Sequence, residues 1–597
     1  MSVILDQMLR PGRDGSQEVR IDIAWLCCLA LTLFATGIGL RDPWPADEPR
    51  FALVARDMVA HHLWLIPQVG NDNYPDKPPL FFWLMACVLQ LTGSLRFAFL
   101  VPSTLAGMGC AVLVYDLARR LWNRETGLAA ALALFATLQF VWQPRQAQID
   151  ATLCFFTTLS LYGLLRHCLA GPTWRWYVIG WAAAGLGVIT KGVGFLPLLV
   201  LIPYFVLRAP YWRPRPALSG SVLHWALGPL AFVAVVSTWL APMLVAVHHD
   251  PALERYRNEI LFTQTLGRYF HPWHHFEPVW FFIVNVIPGL WLPLTGLLPW
   301  LIPRWRQSLR GHDLRVALPL AWIVMVVLFF SFSEGKRSVY VLPAVPALAL
   351  ACGPWLNDIA GRGRAQHTVF AVTCSIAAIC ITAGMVLTLS VHERHRFFEA
   401  YDLNPVALVG PLLTIGVLVA FVCIIARPGR GFAAYGLAIA ASLLVISLWI
   451  NPELNEARSG ARFMHRVQSM TLDVRELGLV AYRDEYLLNV TRPVTTFGHA
   501  RWREAEQEAD DAAAWLAAAP GRVLLVDQRA RDQCFTAAHI QPVDTQWSLV
   551  RGAADLACTE RGKLSAALFY EPAKIDSDGK IERLPPSRIA STLTKER

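Results

Sequence analysis

Long apolar stretches, separated by short polar loops, follow one another along the chain up to about residue 450. Each stretch is roughly 17–25 residues long, the length at which an α-helix crosses the hydrocarbon core of a bilayer. A shorter apolar run at 80–93 follows Pro78 and Pro79, and we interpret it as a helix lying in the outer membrane interface; the alternative is a hairpin of two spans. The pattern predicts thirteen membrane-spanning helices, at about 23–40, 96–118, 127–143, 150–169, 175–189, 193–208, 224–246, 279–301, 316–333, 339–356, 369–391, 405–426 and 432–450.

Arginine residues are concentrated in alternate loops of this pattern, and cytoplasmic loops of membrane proteins carry an excess of positive charge. The N-terminal segment has three arginines and lacks the layout of a cleavable signal peptide. We therefore predict a cytoplasmic N-terminus and a periplasmic C-terminus; if residues 80–93 crossed the membrane, all later clusters would lie outside. The clusters are Arg10, Arg13 and Arg20; Arg119, Arg120 and Arg124; Arg166 and Arg175; Arg208, Arg213 and Arg215; Arg304, Arg306, Arg310 and Arg315; Arg362 and Arg364; and Arg427 and Arg430.

The composition is that of a membrane protein. Hydrophobic residues make up 55% of the 597 positions and charged residues only 16%, whereas soluble domains carry about 25% charge. The 23 tryptophans suit the membrane–water interface. A net charge of +9 is common in nucleic-acid-binding proteins, but here the surplus arginines are explained by membrane orientation, and we expect no nucleic-acid partner. Bilayer lipids are the expected surroundings.

Charged residues become frequent from about Ser459 onward. A helical-looking stretch from Glu504 to Ala518 precedes the short apolar strand GRVLLVDQ. The sequence therefore predicts an all-α polytopic membrane domain, residues 1–458, with large first and fourth periplasmic loops, followed by a small periplasmic α/β domain and tail, residues 459–597. Cys534 and Cys558 fall in this second domain, and an oxidising compartment permits either a disulfide or two lone thiols.

Ionisable residues of both signs gather in the predicted outer loops. Charges at the hydrocarbon edge are costly and mark a water-filled cavity or a functional site; the structural alternative is local pairing, for example of Asp47 with Arg50. Cations in such a cavity suit a phosphate, and separated carboxylates suit general-base work. An amphiphilic, phosphorylated substrate fits this pattern. Neither a P-loop nor a strand-linked G-x-G-x-x-G is present, so we expect a donor other than a free nucleotide sugar.

Several blocks resemble the motifs of GT-C glycosyltransferases of the protein O-mannosyltransferase superfamily. In order they are ADEPRFALVARDM, NYPDKPPLFFW, QAQIDATLCFF, GVITKGVGFLPL, LFFSFSEGKRSVYVLPAVPALAL and NPELNEARSGAR. As a set they are most similar to the bacterial transferases that add aminoarabinose to lipid A, which also have thirteen spans and an outer C-terminal domain. Phe51, Asp76 and Ala151 depart from the pattern of that branch, which leaves the particular sugar and acceptor open.

The resemblance implies inverting transfer of a sugar, expected to be 4-amino-4-deoxy-L-arabinose, from undecaprenyl phosphate to lipid A or another periplasmic acceptor at the bacterial inner membrane. It makes Asp47 and Asp150 the acidic pair of the active site. It also implies the following substrate-binding residues: Lys77, Arg268 and Tyr340 at the carrier phosphate, Lys191 as a further cation, Arg50 and Asp76 as supports of the first loop, with Glu48 and Lys336 beside them.

Two other classes of function are compatible with parts of this pattern. A protein O-mannosyltransferase or a polysaccharide-decorating transferase would use the same type of donor. A transporter or lipid flippase also places charges in a bilayer cavity, but it should have inverted repeats and broken helices near the midplane. No cofactor is expected. His271, His274 and His275, with Glu277, could hold a divalent metal, although an interfacial aromatic loop is the preferred interpretation and no metal is assigned.

Overall fold

The computed structural model describes residues 15–207, 211–214, 216, 220–267, 276–333, 335–401, 405–498, 501–536 and 538–573. The chain is organised as two compact units. We call the first the helical unit; it comprises Met1–Leu40, Asp76–Phe81 and Leu100–Glu453. The second, the mixed unit, comprises Arg41–Pro75, Phe82–Phe99 and Leu454–Arg597. Most of the predicted first outer loop therefore belongs to the same unit as the C-terminal residues.

The helical unit consists of α-helices interrupted by short 3₁₀ and π turns. Apolar side chains on every face of most helices account for their length and for their packing in a bundle. The helices are Gly15–Ala30 with the π turn Leu31–Ala35, Val101–Leu121, Arg124–Ala136, Leu138–Trp142, Ile149–Ala170, Trp174–Thr190, Gly192–Val200 (3₁₀), Leu201–Val206, Val222–His249, Glu254–Asn258, Glu259–Gly267 (π), Phe282–Val286 (π), Ile287–Leu290, Leu298–Arg310, Leu314–Phe332, Ser338–Ala344 (3₁₀), Val345–Ala360, Gly363–Leu389, Val391–Tyr401, Val406–Ala426, Gly431–Val445, Ile446–Ile450 (π) and Asn451–Arg458.

Eight helical stretches in the described part of the chain are long and apolar enough to cross a membrane. Two bent pairs raise this number to ten: Arg124–Ala136 with Leu138–Arg145, bent by 70°, and Phe282–Leu290 with Thr295–Arg310, bent by 94°. Both pairs fall where a single straight span was predicted. The polytopic helical architecture is confirmed, while the number thirteen stays a prediction. A short helix, Leu80–Thr92, forms where an interfacial helix was predicted, and its depth in the membrane stays a prediction.

Close approach of small residues packs the hairpin formed by Ile149–Ala170 and Trp174–Thr190. A Cβ at Gly163 would lie 2.3 Å from the carbonyl oxygen of Trp176 and 2.9 Å from Gly180. In a bilayer, where the hydrophobic effect does not drive helix association, such backbone contact is a main source of packing energy. The hairpin therefore holds the start of its first helix beside the end of its second.

A six-stranded sheet forms the centre of the mixed unit. The strands are β1 Gln68–Val69, β2 Asp72–Asn73, β3 Glu476–Leu479, β4 Val494–Thr496, β5 Arg522–Asp527, β6 His539–Pro542, β7 Trp547–Arg551 and β8 Leu568–Tyr570; β1 and β2 form a separate antiparallel pair. The sheet order is β6-β7-β5-β3-β4-β8, with β3 parallel to β4 and β5 and the remaining pairs antiparallel.

The helices of the mixed unit are Glu48–His61, Leu80–Thr92 (which begins in the helical unit), Leu95–Ala98, Ala461–Ser469, Asp484–Leu488, Arg501–Ala517, Gln528–Cys534 and Leu556–Arg561. The C-terminal region thus contains both helices and strands, while its assignment as a separate periplasmic α/β domain stays a prediction. The predicted strand GRVLLVDQ is β5, whose four central residues are buried because both faces of the sheet are covered.

Cys534 and Cys558 form a disulfide, with their Cα atoms 5.7 Å apart. It links the helices Gln528–Cys534 and Leu556–Arg561 beside the buried side chains of Trp515 and Phe535. Of the two alternatives that the sequence left open for these cysteines, the structure contains the bridge. Disulfides are typical of oxidising compartments and rare in the cytosol.

Candidate active site

Asp150 and Lys191 form an ion pair at one end of the helical hairpin. Asp150 lies in the first turn of Ile149–Ala170, where the helix dipole favours a negative charge. Lys191 directly follows Trp174–Thr190, where the dipole favours a cation. Because the helices are antiparallel, these two ends meet, and the Lys191 ammonium donates to Asp150 Oδ1 over 2.7 Å. The side chains are only 12% (Asp150) and 19% (Lys191) exposed, so water screens the pair weakly.

Tyr340 completes this group of three residues. The Lys191 nitrogen lies 4.4 Å from the centroid of the Tyr340 ring, within cation–π distance. The turn that carries Tyr340, Ser338–Ala344, is anchored by Gln139, whose side-chain amide donates to the Ser338 carbonyl over 2.7 Å. The predicted residues Asp150, Lys191 and Tyr340 are thus brought into direct contact, as one anion, one cation and one aromatic ring.

Asp76 and Lys77 lie in a loop of the helical unit. The Lys77 ammonium donates to the carbonyl oxygen of Asp76 over 2.9 Å. The Asp76 carboxylate in turn accepts from the side-chain amide of Gln264 over 3.0 Å. Gln264 belongs to the fourth predicted outer loop, so this hydrogen bond joins that loop to the block NYPDKPPLFFW. The sequence did not single out Gln264, since a lone glutamine 188 positions away matches no motif.

Lys336 is almost fully buried, 3% exposed. Its ammonium donates to the carbonyl oxygen of Glu277 over 2.6 Å. Beside it lies a cavity of about 380 Å³, lined by Phe276, Glu277, Pro278, Val279, Ser331, Phe332 and Lys336. The apolar lining suits an acyl or prenyl chain better than a sugar. The predicted residues Arg268, His271, His274 and His275 lie outside the described part of the chain.

In the mixed unit, Asp47 directly precedes the helix Glu48–His61, and its side chain makes no capping hydrogen bond to that helix. The first turn of that helix is fixed by Glu48, which is 6% exposed. Its carboxylate accepts from both terminal nitrogens of Arg41, one of them over 2.8 Å, and from the backbone N–H of Trp44 over 2.9 Å. These contacts make Glu48 a support of the loop that carries Asp47, and the substrate-binding role predicted for it stays a prediction.

Arg50 contacts the C-terminal part of the chain. Its guanidinium donates from Nε to Asp484 Oδ2 over 3.0 Å, and its Nη2 lies at the same distance from that oxygen. No motif marks Asp484, which lies 434 positions further on, so the sequence did not reveal it. The following residue, Phe51, is 4% exposed and its ring packs against Phe82. Position 51, one of those that depart from the motif pattern, is therefore part of the core.

A second contact joins the start of the first loop to the block NPELNEARSGAR. The side-chain oxygen of Asn455 accepts from the Asp42 backbone over 2.8 Å and from the Trp44 indole over 3.0 Å, while its amide nitrogen donates to Asp42 Oδ2 over 2.8 Å. Arg458, one helical turn later, lies 5.1 Å from the Trp44 ring. The block NPELNEARSGAR is one of the blocks by which the sequence resembles the family, but the sequence did not indicate what Asn455 or Arg458 does.

Arg56, Asp57 and Tyr570 form a buried polar cluster further along the same helix. The Tyr570 hydroxyl donates to Asp57 Oδ1 over 2.9 Å, and the Arg56 guanidinium donates to that hydroxyl and to the Leu488 carbonyl. Burial raises the pKa of the Asp57 carboxyl and of the Tyr570 phenol. Burial also lowers the pKa of His61, whose ring nitrogens are buried and have no hydrogen-bond partner among the described residues.

The lowered pKa of His61 predicts acid sensitivity. The unfolded chain gains a proton at His61 near pH 6.5, whereas the folded chain resists it, so this residue's contribution to stability is complete at neutral pH and is lost as the pH falls below about 6.5. For one proton the loss is at most about 1.4 kcal/mol per pH unit. Asp57 opposes this acid-induced loss, since its raised pKa stabilises the fold as the pH falls. The charged neighbours of His61 act in both directions: Asp57 and Glu571 raise its pKa, and Arg56 and His62 lower it.

The variant His61→Gln separates the two effects because it removes only the imidazole. Thermal unfolding of the purified protein, followed by tryptophan fluorescence at pH 7.5 and 5.5, should show a smaller acid-induced fall in Tm for the variant than for the wild type. Equal falls in both proteins would contradict the prediction.

Among the described residues, one group of three metal-ligating side chains lies close together: Asp510, Cys534 and Cys558. The two sulfurs are joined in the disulfide, so they are not thiolate ligands. The Asp510 carboxylate is paired with the Arg561 guanidinium through two hydrogen bonds of 2.9 Å. This group is therefore structural.

Comparison with known proteins agrees with the motif analysis. Residues 76–240 match the family model described as dolichyl-phosphate-mannose-protein mannosyltransferase. An undecaprenyl phosphate-alpha-4-amino-4-deoxy-L-arabinose arabinosyl transferase of Pseudomonas fluorescens is 29% identical over 357 residues, which are 57% of this chain and 62% of the relative. The corresponding transferase of Yersinia pestis is 27% identical over 378 residues, 61% of this chain and 66% of the relative. The chain thus spans slightly less than two thirds of either relative.

The fold has a counterpart among solved structures. The crystal structure of ArnT from Cupriavidus metallidurans bound to undecaprenyl phosphate matches with a TM-score of 0.70, covering 91% of this chain and 99% of that one at 21% identity. The apo structure of the same protein matches with a TM-score of 0.69. The resemblance inferred from the motifs is confirmed: the chain is similar in sequence to the aminoarabinose transferases and has the fold of one of them.

Proposed function

We propose that the chain is a glycosyltransferase that moves 4-amino-4-deoxy-L-arabinose, with inversion, from undecaprenyl phosphate to lipid A at the periplasmic face of the inner membrane. The observation that carries the proposal is the group Asp150, Lys191 and Tyr340, built from three of the motif blocks shared with aminoarabinose transferases. The names of the similar proteins supply the donor and the sugar. The name ArnT and the bound undecaprenyl phosphate belong to a protein of the same fold.

The leaving group of such a transfer is a polyprenyl phosphate, whose negative charge grows as the bond to the sugar breaks. Cations that are fixed in a water-poor site stabilise this charge without having to reorient. Lys77 and Arg268 are assigned this task, with the Tyr340 hydroxyl as a donor to the same phosphate. Lys191, which is engaged with Asp150, supports the carboxylate. Lys336, beside the apolar cavity, is assigned to the region of the prenyl chain.

The roles of Asp47 and Asp150 depend on the acceptor. A hydroxyl acceptor must lose its proton, and a carboxylate is then needed as general base. A phosphate of lipid A is already a nucleophile, and the carboxylates then orient the amino sugar or stabilise oxocarbenium character at its anomeric carbon. Asp150 suits the second task, because the hydrogen bond of 2.7 Å from the Lys191 ammonium fixes the position of its carboxylate.

The proposal includes thirteen spans, a cytoplasmic N-terminus and a periplasmic mixed unit. The arginine distribution supports this orientation. The disulfide Cys534–Cys558 supports it independently, since the bacterial periplasm is oxidising.

Transfer is tested with purified protein in lipid nanodiscs. The donors are undecaprenyl phosphate carrying aminoarabinose and polyprenyl phosphate carrying mannose, and the acceptors are lipid A and a Ser/Thr-rich peptide; products are identified by mass spectrometry. We expect aminoarabinose on lipid A. Transfer of mannose to the peptide would instead indicate a protein O-mannosyltransferase, the alternative that the family match at residues 76–240 favours. Donor crossing the bilayer without any transfer would indicate a flippase.

Two substitutions at Tyr340 separate the effects of its hydroxyl and its ring. Tyr340→Phe loses the proposed phosphate contact but keeps the ring 4.4 Å from the Lys191 nitrogen, whereas Tyr340→Leu loses both. A cation–π contact contributes about 0.5–2 kcal/mol, so Tyr340→Leu should transfer sugar about 3- to 30-fold more slowly than Tyr340→Phe. We expect Tyr340→Phe itself to raise the KM for the donor. Identical rates for the two variants would remove the ring from the mechanism.

A further inference from the structure

The helix Glu48–His61, which Asp47 directly precedes, is held from two sides within the mixed unit. On one side Arg41 and Trp44 bind Glu48, the first residue of the helix. On the other side Arg50, near the end of the first turn, binds Asp484. The first contact is local, within the loop itself. The second comes from a part of the chain to which the proposed function gives no role.

The contact between Arg50 and Asp484 is fixed and partly buried. The two side chains are 16% (Arg50) and 8% (Asp484) exposed, and two guanidinium nitrogens lie 3.0 Å from one carboxylate oxygen. Charge-assisted hydrogen bonds of an arginine fix direction as well as distance. Loss of one partner from such a pair leaves the other as a poorly solvated charge, which must move to reach water.

The short helix that contains Asp484 also contacts the following turns of the helix Glu48–His61. Asp484 begins the helix Asp484–Leu488, and the carbonyl oxygen of Leu488, at its other end, accepts from Arg56 over 2.9 Å. Two arginines six positions apart on one helix are therefore bound at the two ends of another. Two separated contacts fix the orientation of the helix Glu48–His61 against the helix Asp484–Leu488 more firmly than either contact alone.

We propose that Asp484 is a positioning residue: by holding Arg50 it sets the first turn of the helix Glu48–His61, and so the place of the Asp47 carboxylate directly before that turn in the transfer reaction. This rests on the proposed function. It gives the C-terminal part of the mixed unit a task in catalysis, although none of its residues needs to touch substrate. It also makes Arg50 a structural arginine rather than a ligand of the carrier phosphate.

Kinetics of three variants test this role. A displacement of about 1 Å at a reacting group can cost a hundredfold in rate, so Asp484→Asn should lower kcat about ten- to a hundredfold and leave the KM for the donor within about twofold. The double variant Arg50→Asp with Asp484→Arg restores an ion pair in reverse and should recover most of the lost kcat. Asp473→Asn is the matched control, since its carboxylate pairs with Arg551 on the exposed surface of the same unit and should leave kcat unchanged.

Hydrogen–deuterium exchange reports the same contact without any transfer. In the full-length protein, backbone amides of a peptide covering residues 47–54 should exchange about tenfold faster in Asp484→Asn than in the wild type, and near the wild-type rate in the double variant. Wild-type kcat and exchange in Asp484→Asn, or a rise in the KM alone, would overturn the inference. If no protein transfers sugar but exchange changes as described, the proposed function fails and the positioning contact stands.

Discussion

Asparagine at position 47 or 150 is expected to lower sugar transfer by at least about a thousandfold. Asparagine has nearly the shape of aspartate but can neither accept a proton nor offset a positive charge. General acid–base catalysis alone contributes about 10²–10⁴, and electrostatic stabilisation of a transition state a similar factor. The loss should appear in kcat, since the carboxylates are assigned to the reacting atoms rather than to donor affinity. Initial rates with undecaprenyl phosphate aminoarabinose and lipid A measure it.

The control for this pair is Asp116→Asn. Asp116, like Asp150, is an aspartate of the helical unit, but its carboxylate accepts from Arg119, Arg120 and the Tyr162 hydroxyl in a region predicted to face the cytoplasm. That variant should transfer sugar at close to the wild-type rate. Full activity in Asp47→Asn or Asp150→Asn would remove the corresponding residue from the site.

Lys191→Met should lower transfer about a hundredfold, the second largest effect. Methionine retains the length of the lysine stem but leaves Asp150 without the ammonium at 2.7 Å. Removing one partner of a buried ion pair costs roughly 3–5 kcal/mol, and the carboxylate that is left without its partner then turns toward water. Lys191→Arg keeps the charge with a different geometry and should recover part of the rate.

The double variant Lys191→Met with Asp150→Asn shows whether the lysine acts through the aspartate. Residues that work as a unit are strongly non-additive, so the double variant should be no slower than Asp150→Asn alone. If the rate losses of the two single variants multiply in the double variant instead, Lys191 acts on the substrate directly, as a ligand of the phosphate would.

The sequence predicted the helical architecture well because the bilayer imposes a simple rule. A segment that is apolar over about twenty residues satisfies its own backbone as a helix. The bends of 70° and 94° were not predicted, because they depend on which carbonyls and side chains neighbouring helices supply. At the first bend the Leu138 N–H donates to the carbonyl of Leu292, a partner that no local pattern reveals.

The candidate site was predictable where the chemistry itself selects a residue type. A carboxylate or ammonium at the membrane edge is costly enough to be visible in one sequence, which is how Asp150 and Lys191 were found. Their supports were not visible, because a glutamine such as Gln264 or an aspartate such as Asp484 is ordinary in a polar loop. Such residues are recognised only when folding brings them to a partner 188 or 434 positions away.

The composition of the mixed unit restricts how the rest of the chain is threaded through the membrane. Its residues come from 41–75 and 82–99 and again from 454 onward, and they pack into one body. The proposed orientation places this body on one side of the bilayer. On that proposal the intervening chain crosses the membrane an even number of times, as the twelve predicted spans from 96–118 to 432–450 do. Any revised count of spans in that interval has to change by two.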